Sequence, residues 1–201
     1  MSDVDQAAGA EQRTRLLEGL AESIREKGLA QTQLADIVRH ARASRRTFYK
    51  HFPDKDSCFV ELTSLVSAEV RQRVVAAVEP GASWETQVDQ AVDRYLAELA
   101  AEPALTLTFA SPGLGEGIVR AQRDGMERFA LLVQQLVSGD AFRDAGVPAI
   151  PLERAYMLVS GLNLTVVRAV ERGDLLEPLA PELKAVINAV LAAAPVEAPT
   201  A

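Results

Sequence analysis

The chain has 201 residues, 48% of them apolar, enough to bury one core or two smaller ones. Its single cysteine, Cys58, excludes an intramolecular disulfide and any cysteine-based metal cluster. No run approaches the ~18 uncharged apolar residues of a membrane span. The net charge is −7, so any role on nucleic acid requires a small, focused cationic patch.

Met1 to Gln12 is polar and acidic, unlike a signal peptide, which predicts a cytoplasmic protein with a disordered tail over residues 1–10. Leu16, Leu17, Leu20, Ala21 and Ile24 then define a helix from about Arg13 to Lys27, closed by Gly28. Leu34, Ile37, Val38 and Ala41 recur at three- and four-residue intervals and predict a second, short helix. A break of three residues, Ala41 to Ala43, separates it from Ser44, whose hydroxyl suits the opening amides of a third helix. Along that helix Phe48 and Phe52 share one face. Arg46, Thr47 and Lys50 lie roughly opposite, with Tyr49 on the flank. Two short helices joined in this way form a helix-turn-helix.

After Asp54 the series Phe59, Leu62, Leu65, Val66, Val70, Val74 and Val78 sustains a long helix up to Pro80 and Gly81. The next begins at Ser83, carries Val88, Ala91, Val92, Tyr95, Leu96 and Leu99 on one face, and ends near Pro103. A short helix or turn over residues 104–110 leads to Gly113, Gly115 and Gly117. Their spacing departs from the dinucleotide-binding fingerprint and no strand precedes them, so they read as a hinge. Ile118 to Leu136 and Leu152 to Val170 are further helices around a loop over residues 139–151. Leu183 to Leu191 is the last, before a Pro- and Ala-rich tail, residues 195–201, expected to be disordered. The class is all-α, with about nine helices and no repeat.

The charge pattern singles out the helix-turn-helix. Between residues 39 and 55, Arg39, Arg42, Arg45, Arg46, Lys50 and Lys55 face Asp54 alone, with His40 and His51 in addition. Residues 57–201 carry the acidic excess. Arginine can bond bidentately to guanine in the major groove; threonine, tyrosine and lysine suit phosphate oxygens.

The run from Ser44 to Lys55, preceded by the amphipathic helix, resembles the DNA-binding end of a TetR-type transcriptional regulator. That family's recognition helix ends in Thr, an apolar residue, Tyr, a variable residue, His or Tyr, and Phe, followed by a Lys near the start of the fourth helix. Here those places hold Thr47, Phe48, Tyr49, Lys50, His51, Phe52 and Lys55. The resemblance is strong over about the first 60 residues and elsewhere extends only to length and helical organisation.

It implies that Thr47, Tyr49, His51 and Lys55 contact phosphates, while Arg45 and Arg46, with a contribution from Lys50, occupy base-reading positions. It also implies a three-helix DNA-binding domain over residues 11–56 and an effector-binding and dimerisation domain over residues 57–194. Three positions depart from the pattern. Arg42 stands where the turn usually carries Gly, so the backbone there either avoids a left-handed conformation or accepts strain. Arg46 replaces a small residue or Gly. Gln33 replaces a capping Thr, leaving either Thr32 as the cap or a weaker helix start.

The helix from Arg154 to Val170 is apolar around much of its circumference and must be buried on more than one side. The resemblance assigns it and the last helix to a homodimer interface that includes Leu152, Tyr156, Val159, Leu183, Val186, Ile187 and Val190. A two-fold protein matches a palindromic operator on double-stranded DNA. Internal packing of the same helices is the alternative.

The middle helices, by the same resemblance, surround an effector cavity with Leu62, Val66, Tyr95, Leu99, Phe109, Met126, Phe129, Tyr156 and Asn163 as candidate lining. Such a lining favours a small hydrophobic or aromatic effector. Asn163 is a polar amide on an apolar stripe and requires a partner. The implied function is a repressor released from its operator by that effector. Both histidines lie within the helix-turn-helix, so no Ser-His-Asp triad or two-histidine metal site can be assembled elsewhere, and no catalytic residue, metal or cofactor is expected. The alternatives are a helix-turn-helix-shaped interaction module and, more remotely, an enzyme.

Overall fold

The computed structural model describes residues 3–110 and 115–193, with side chains for 6–108 and 115–193. The described residues form ten α-helices and one 3-10 turn, with no strand: α1 (Asp3–Gln31), α2 (Leu34–His40), α3 (Arg45–His51), α4 (Lys55–Ala77), α5 (Trp84–Ala101), α6 (Pro103–Ala110), α7 (Glu116–Val137), α8 (Asp140–Asp144), α9 (Leu152–Arg172), the turn Glu177–Leu179, and α10 (Ala180–Ala192). They fall into two compact units. The first comprises residues 1–67 and 103–123, the second 68–102 and 124–201.

In the first unit the predicted stripe of α1 is sealed: Leu16, Leu20 and Ile24 are buried with Ile37, Phe48, Phe52, Cys58 and Phe59. Leu105 of α6 and Ile118 of α7 join the same cluster, which is why these segments belong with the helix-turn-helix. Helix α1 begins at Asp3, within the stretch expected as a tail. Gly28, at φ 75° and ψ 162°, breaks the regular helix where a stop was expected. Thr32 is buried and donates its hydroxyl to the Gly28 carbonyl at 2.8 Å, so it does not cap α2. The N-cap is Gln33, whose amide donates to Asp36 Oδ2 at 2.8 Å. Lys27 lies 2.7 Å from the same carboxylate and, with that amide, holds it below its ordinary pKa.

Arg13 fastens α1 to the elements that follow. Its guanidinium bonds Glu61, donates to the His51 carbonyl at 3.1 Å and lies 4.5 Å from the centre of the Phe52 ring. Cys58 is fully buried and its thiol is pushed up to about 12 by desolvation, so it acts as a small apolar core residue.

The second unit packs Val88, Val92 and Leu96 of α5 with Ala155, Val166 and Ala169 of α9 and Leu183, Ile187 and Leu191 of α10. Lys184 on α10 reaches Asp93 on α5 at 2.8 Å. The loop expected over residues 139–151 contains α8, five residues anchored by buried Phe142. An isolated apolar residue gives no periodicity, so this helix left no pattern in the sequence. Gly173, at φ 74°, closes α9 at the expected place. Of the three glycines read as a hinge, Gly113 lies outside the described residues, Gly115 precedes α7, and Gly117 is inside it.

The tightest backbone approach in the first unit is at Gly19. A Cβ there would lie 2.6 Å from the Ile37 carbonyl oxygen and 2.9 Å from the Ala41 nitrogen, both fixed atoms of α2 and its end. Gly19→Ala is therefore expected to destabilise the unit by about 2 kcal/mol or more. A urea unfolding curve checks this, and an unchanged midpoint would contradict the packing described.

Candidate functional site

The turn that aims α3 is fixed by backbone bonds. At the end of α2 the Ala43 amide donates to the Val38 carbonyl at 2.9 Å and the Arg42 amide to the Arg39 carbonyl at 3.2 Å, the paired bonds of a Schellman motif. That motif needs a left-handed residue between them, and Arg42 supplies it at φ 48°. The chain thus accepts the strain that the sequence left as one of two options. Ser44 then caps α3, accepting from the Thr47 amide at 3.0 Å.

Helix α3 divides as its spacing predicts. Phe48 and Phe52 are buried, with relative exposures of 0% and 2%, while Arg45, Arg46, Tyr49 and Lys50 are exposed. Tyr49 is 60% exposed and stands edge-on to Phe48. Among the described residues no carboxylate pairs with Arg45, Arg46 or Lys50, so three cations face solvent from two turns of helix. Elsewhere in this unit Glu26 holds Arg39 at 3.0 Å and His40 at 3.1 Å, which takes those two out of the free charge.

The other expected phosphate contacts are more engaged. Thr47 is half-buried, its hydroxyl 2.9 Å from that of Ser44. His51 lies 3.4 Å from Gln12 Oε1, and burial, Lys50 and Arg13 lower its pKa, which favours the neutral ring. Lys55 donates to the Leu29 carbonyl at 3.1 Å and the Thr32 carbonyl at 3.0 Å. Its ammonium closes the end of α1 with two of its three donors.

The match to known proteins falls on this unit. Residues 16–62 match the family model described as bacterial regulatory proteins, tetR family. Over this segment the chain is similar to that family. Members of that family are transcription regulators rather than enzymes. No curated protein matches the sequence. Among solved structures, the transcriptional regulator FadR of Bacillus subtilis, in complex with stearoyl-CoA, is similar with a TM-score of 0.72 at 14% identity, covering 89% of this chain and 97% of that one. FadR of Thermus thermophilus, a TetR-family repressor in complex with lauroyl-CoA, is similar at 0.68 and 21% identity, covering 94% and 98%. A TetR transcriptional regulator from Rhodococcus sp. RHA1 is similar at 0.61 and 18%, covering 90% and 96%. At these identities the likeness is one of fold: a TetR-like arrangement of an N-terminal helix-turn-helix and a C-terminal helical domain.

The second unit contains a cavity of about 110 Å³. Its wall is apolar, built from Val74 of α4, Val78 just after it, and residues of α5, α7, α8, α9 and α10, with Gln87 and Tyr95 as its polar members. Both are engaged by the protein. The Gln87 amide donates to the Pro80 and Ala82 carbonyls at 3.1 and 3.0 Å. The Tyr95 hydroxyl donates to Asn163 Oδ1 at 3.3 Å. Asn163 thus has the partner its sequence position required, and that partner is another helix.

Of the residues expected around an effector, Tyr95 and Phe129 line this cavity and meet edge-on, ring centres 5.7 Å apart. Leu62 and Val66 lie in the first unit, Leu99 packs in the core of the second, and Met126, Tyr156 and Asn163 are outside the lining. The side chain of Phe109 is outside the described residues. Of the residues expected at a dimer interface, Tyr156 and Val186 are exposed and Leu152 and Val190 half-buried, whereas Leu183 is buried and Val159 and Ile187 turn into the cavity. On α9 the exposed apolar residues outside that expected set are Met157, at 69%, and Leu164, at 62%. A helix apolar on every side offers no pattern to tell its inner half from its outer half.

Arg42 carries a prediction. An L-residue in the left-handed region costs roughly 1–2 kcal/mol, part of which glycine returns through its looser unfolded state. Arg42→Gly is expected to raise stability by about 0.5–1 kcal/mol. A higher midpoint with unchanged denaturant dependence checks it; a lower one would contradict a strained turn.

Proposed function

We propose that this chain is a homodimeric, DNA-binding transcriptional repressor of the cytoplasm, released from a palindromic operator by a small effector with an apolar body. The observation that carries the reading is the division of α3: its aromatic face is buried, while Arg45, Arg46, Tyr49 and Lys50 stand free. Such a helix presents base-reading and phosphate-binding chemistry to a major groove. In this reading Arg45 and Arg46 read bases, Lys50 assists, and Thr47, Tyr49 and His51 meet phosphates. Lys55 contributes chiefly by holding the end of α1, with one donor left for a phosphate. Residues 11–56 act as the DNA-binding domain and 57–194 as the effector-binding and dimerisation domain.

The dimer interface in this proposal uses the exposed apolar residues of α9 and α10, Tyr156, Met157, Leu164 and Val186, where a second copy would remove them from water. The effector occupies the cavity of the second unit. A lining whose two polar groups already have partners offers nothing to a sugar or a phosphate. That FadR proteins bind stearoyl-CoA and lauroyl-CoA supports an alkyl chain as that body. Helix α4 starts at Lys55, just after the recognition helix, and contributes Val74 to the cavity. A ligand that shifts α4 would alter the presentation of the recognition helices, with a coupling of about 1–3 kcal/mol.

Selection of bound fragments from genomic DNA tests the reading. Arg45→Ala and Arg46→Ala are each expected to relax preference at particular base pairs by about 1–3 kcal/mol, and Tyr49→Phe to weaken all sequences alike. A selection profile that neither arginine variant alters would contradict base reading by α3.

A further inference from the structure

Beside the cavity lies a pair of arginines without an anion. Arg71 on α4 places its guanidinium carbon 5.6 Å from the centre of the Phe129 ring, and Phe129 is part of the cavity wall. Its Nη1 is buried and has no hydrogen-bond partner. Arg128, the residue before Phe129, is exposed and close enough for its charge to oppose that of Arg71. Neither arginine has a carboxylate within ion-pair distance among the described residues. Other arginines of the same unit do: Arg73 and Arg94 both pair with Glu98, and Arg172 pairs with Asp174 at 2.7 Å.

Two effects work against Arg71 as it stands. Burial withdraws its charge from water, and the like charge of Arg128 adds to the cost, so its pKa is lowered from the usual arginine value. An anion beside Arg71 would relieve both at once and accept from the sealed Nη1. The ring of Phe129 supplies an electron-rich face to the cation but no hydrogen-bond acceptor. In a chain of net charge −7, a guanidinium stacked on a cavity-wall ring with a sealed, unpartnered nitrogen and no carboxylate has the chemistry of an oxyanion site.

We propose that Arg71, assisted by Arg128, binds the oxyanion head of an amphiphilic effector whose apolar chain fills the cavity lined by Phe129. The proposal rests on the cavity being the effector site and adds the ligand's charge. A free fatty acid supplies the oxyanion as a carboxylate; an acyl thioester of coenzyme A supplies it as phosphate. The cavity itself, with Gln87 and Tyr95 engaged, leaves the head outside the apolar wall, where Arg71 stands.

Trp84, the single tryptophan, reports binding without DNA, because its ring lies 5.9 Å from that of Phe142, a lining residue. Titrating the full-length protein with decanoate, decanoyl-CoA and decanol, followed by Trp84 emission and calorimetry, separates head from tail. At least one of the anions is expected to bind about tenfold or more tighter than decanol, and which one identifies the source of the oxyanion. Arg71→Gln should bring that anion down to the level of decanol while decanol itself is unaffected, and Arg71→Lys should retain part of the preference. Should Arg71→Gln not fold, Arg128→Gln at the exposed position is expected to reduce the preference in part. If decanol binds the wild type as tightly as both anions, or Arg71→Gln and Arg128→Gln both keep the preference, the oxyanion site is overturned while the cavity stands. If none of the three binds, the cavity reading falls with it.

Discussion

The placement of the cationic face depends on the sealing of Phe48 and Phe52 into the core of the first unit. Complete burial of each ring is worth about 1.5–3 kcal/mol, several times a surface ion pair, whose usual worth is about 0–1 kcal/mol. Rotation of α3 about its axis would expose these rings to bring Arg46 and Lys50 inward, so the apolar contacts fix which way the charges point. The Schellman turn at Arg42 and the Ser44 cap set where α3 begins. Arg13 reinforces the same face from α1, with its guanidinium against Phe52 and Glu61.

Charge is distributed under a second constraint. The molecule as a whole is anionic, and its positive residues are effective only where no carboxylate meets them. Glu26 and Glu61 take up Arg39 and Arg13 within the first unit, while Arg45, Arg46 and Lys50 on the outer side of α3 meet no carboxylate among the described residues. In the second unit Glu98 and Asp174 do the same for Arg73, Arg94 and Arg172, whereas Arg71, beside Phe129, meets no carboxylate among the described residues. Both candidate sites thus combine an aromatic ring with cations that have no carboxylate partner among the described residues. A cation that escapes pairing in an acidic protein is more informative than one in a basic protein.

Much of the first unit was legible because its signals are local. The stripe of α1, the Ser44 cap, the four-residue spacing of Phe48 and Phe52, and the stop at Gly28 each follow from a few neighbouring residues. The role of Lys55 was not legible. Its ammonium bonds the Leu29 and Thr32 carbonyls, a long-range partnership that spacing cannot reveal. The cap of α2 was misread for a related reason: Thr32 has the right chemistry, but its hydroxyl turns back to Gly28. In the second unit the helices were recognisable and their facing was not. Val159 and Ile187 line the cavity while Met157 and Leu164 are exposed, and an apolar residue carries the same signal in either place. Arg71 gave no signal at all, since an arginine in a helix is ordinarily a solvated one.

The central claim is that the unpaired cations of α3 grip a duplex. The dependence of DNA affinity on salt tests it most directly, because each phosphate neutralised contributes about −0.9 to the slope of log affinity against log salt. With Lys50 and Lys55 near phosphates in each of two protomers, a straight line with a slope of about −2 or steeper is expected. A flat line, or no binding to any duplex at low salt, would contradict the account.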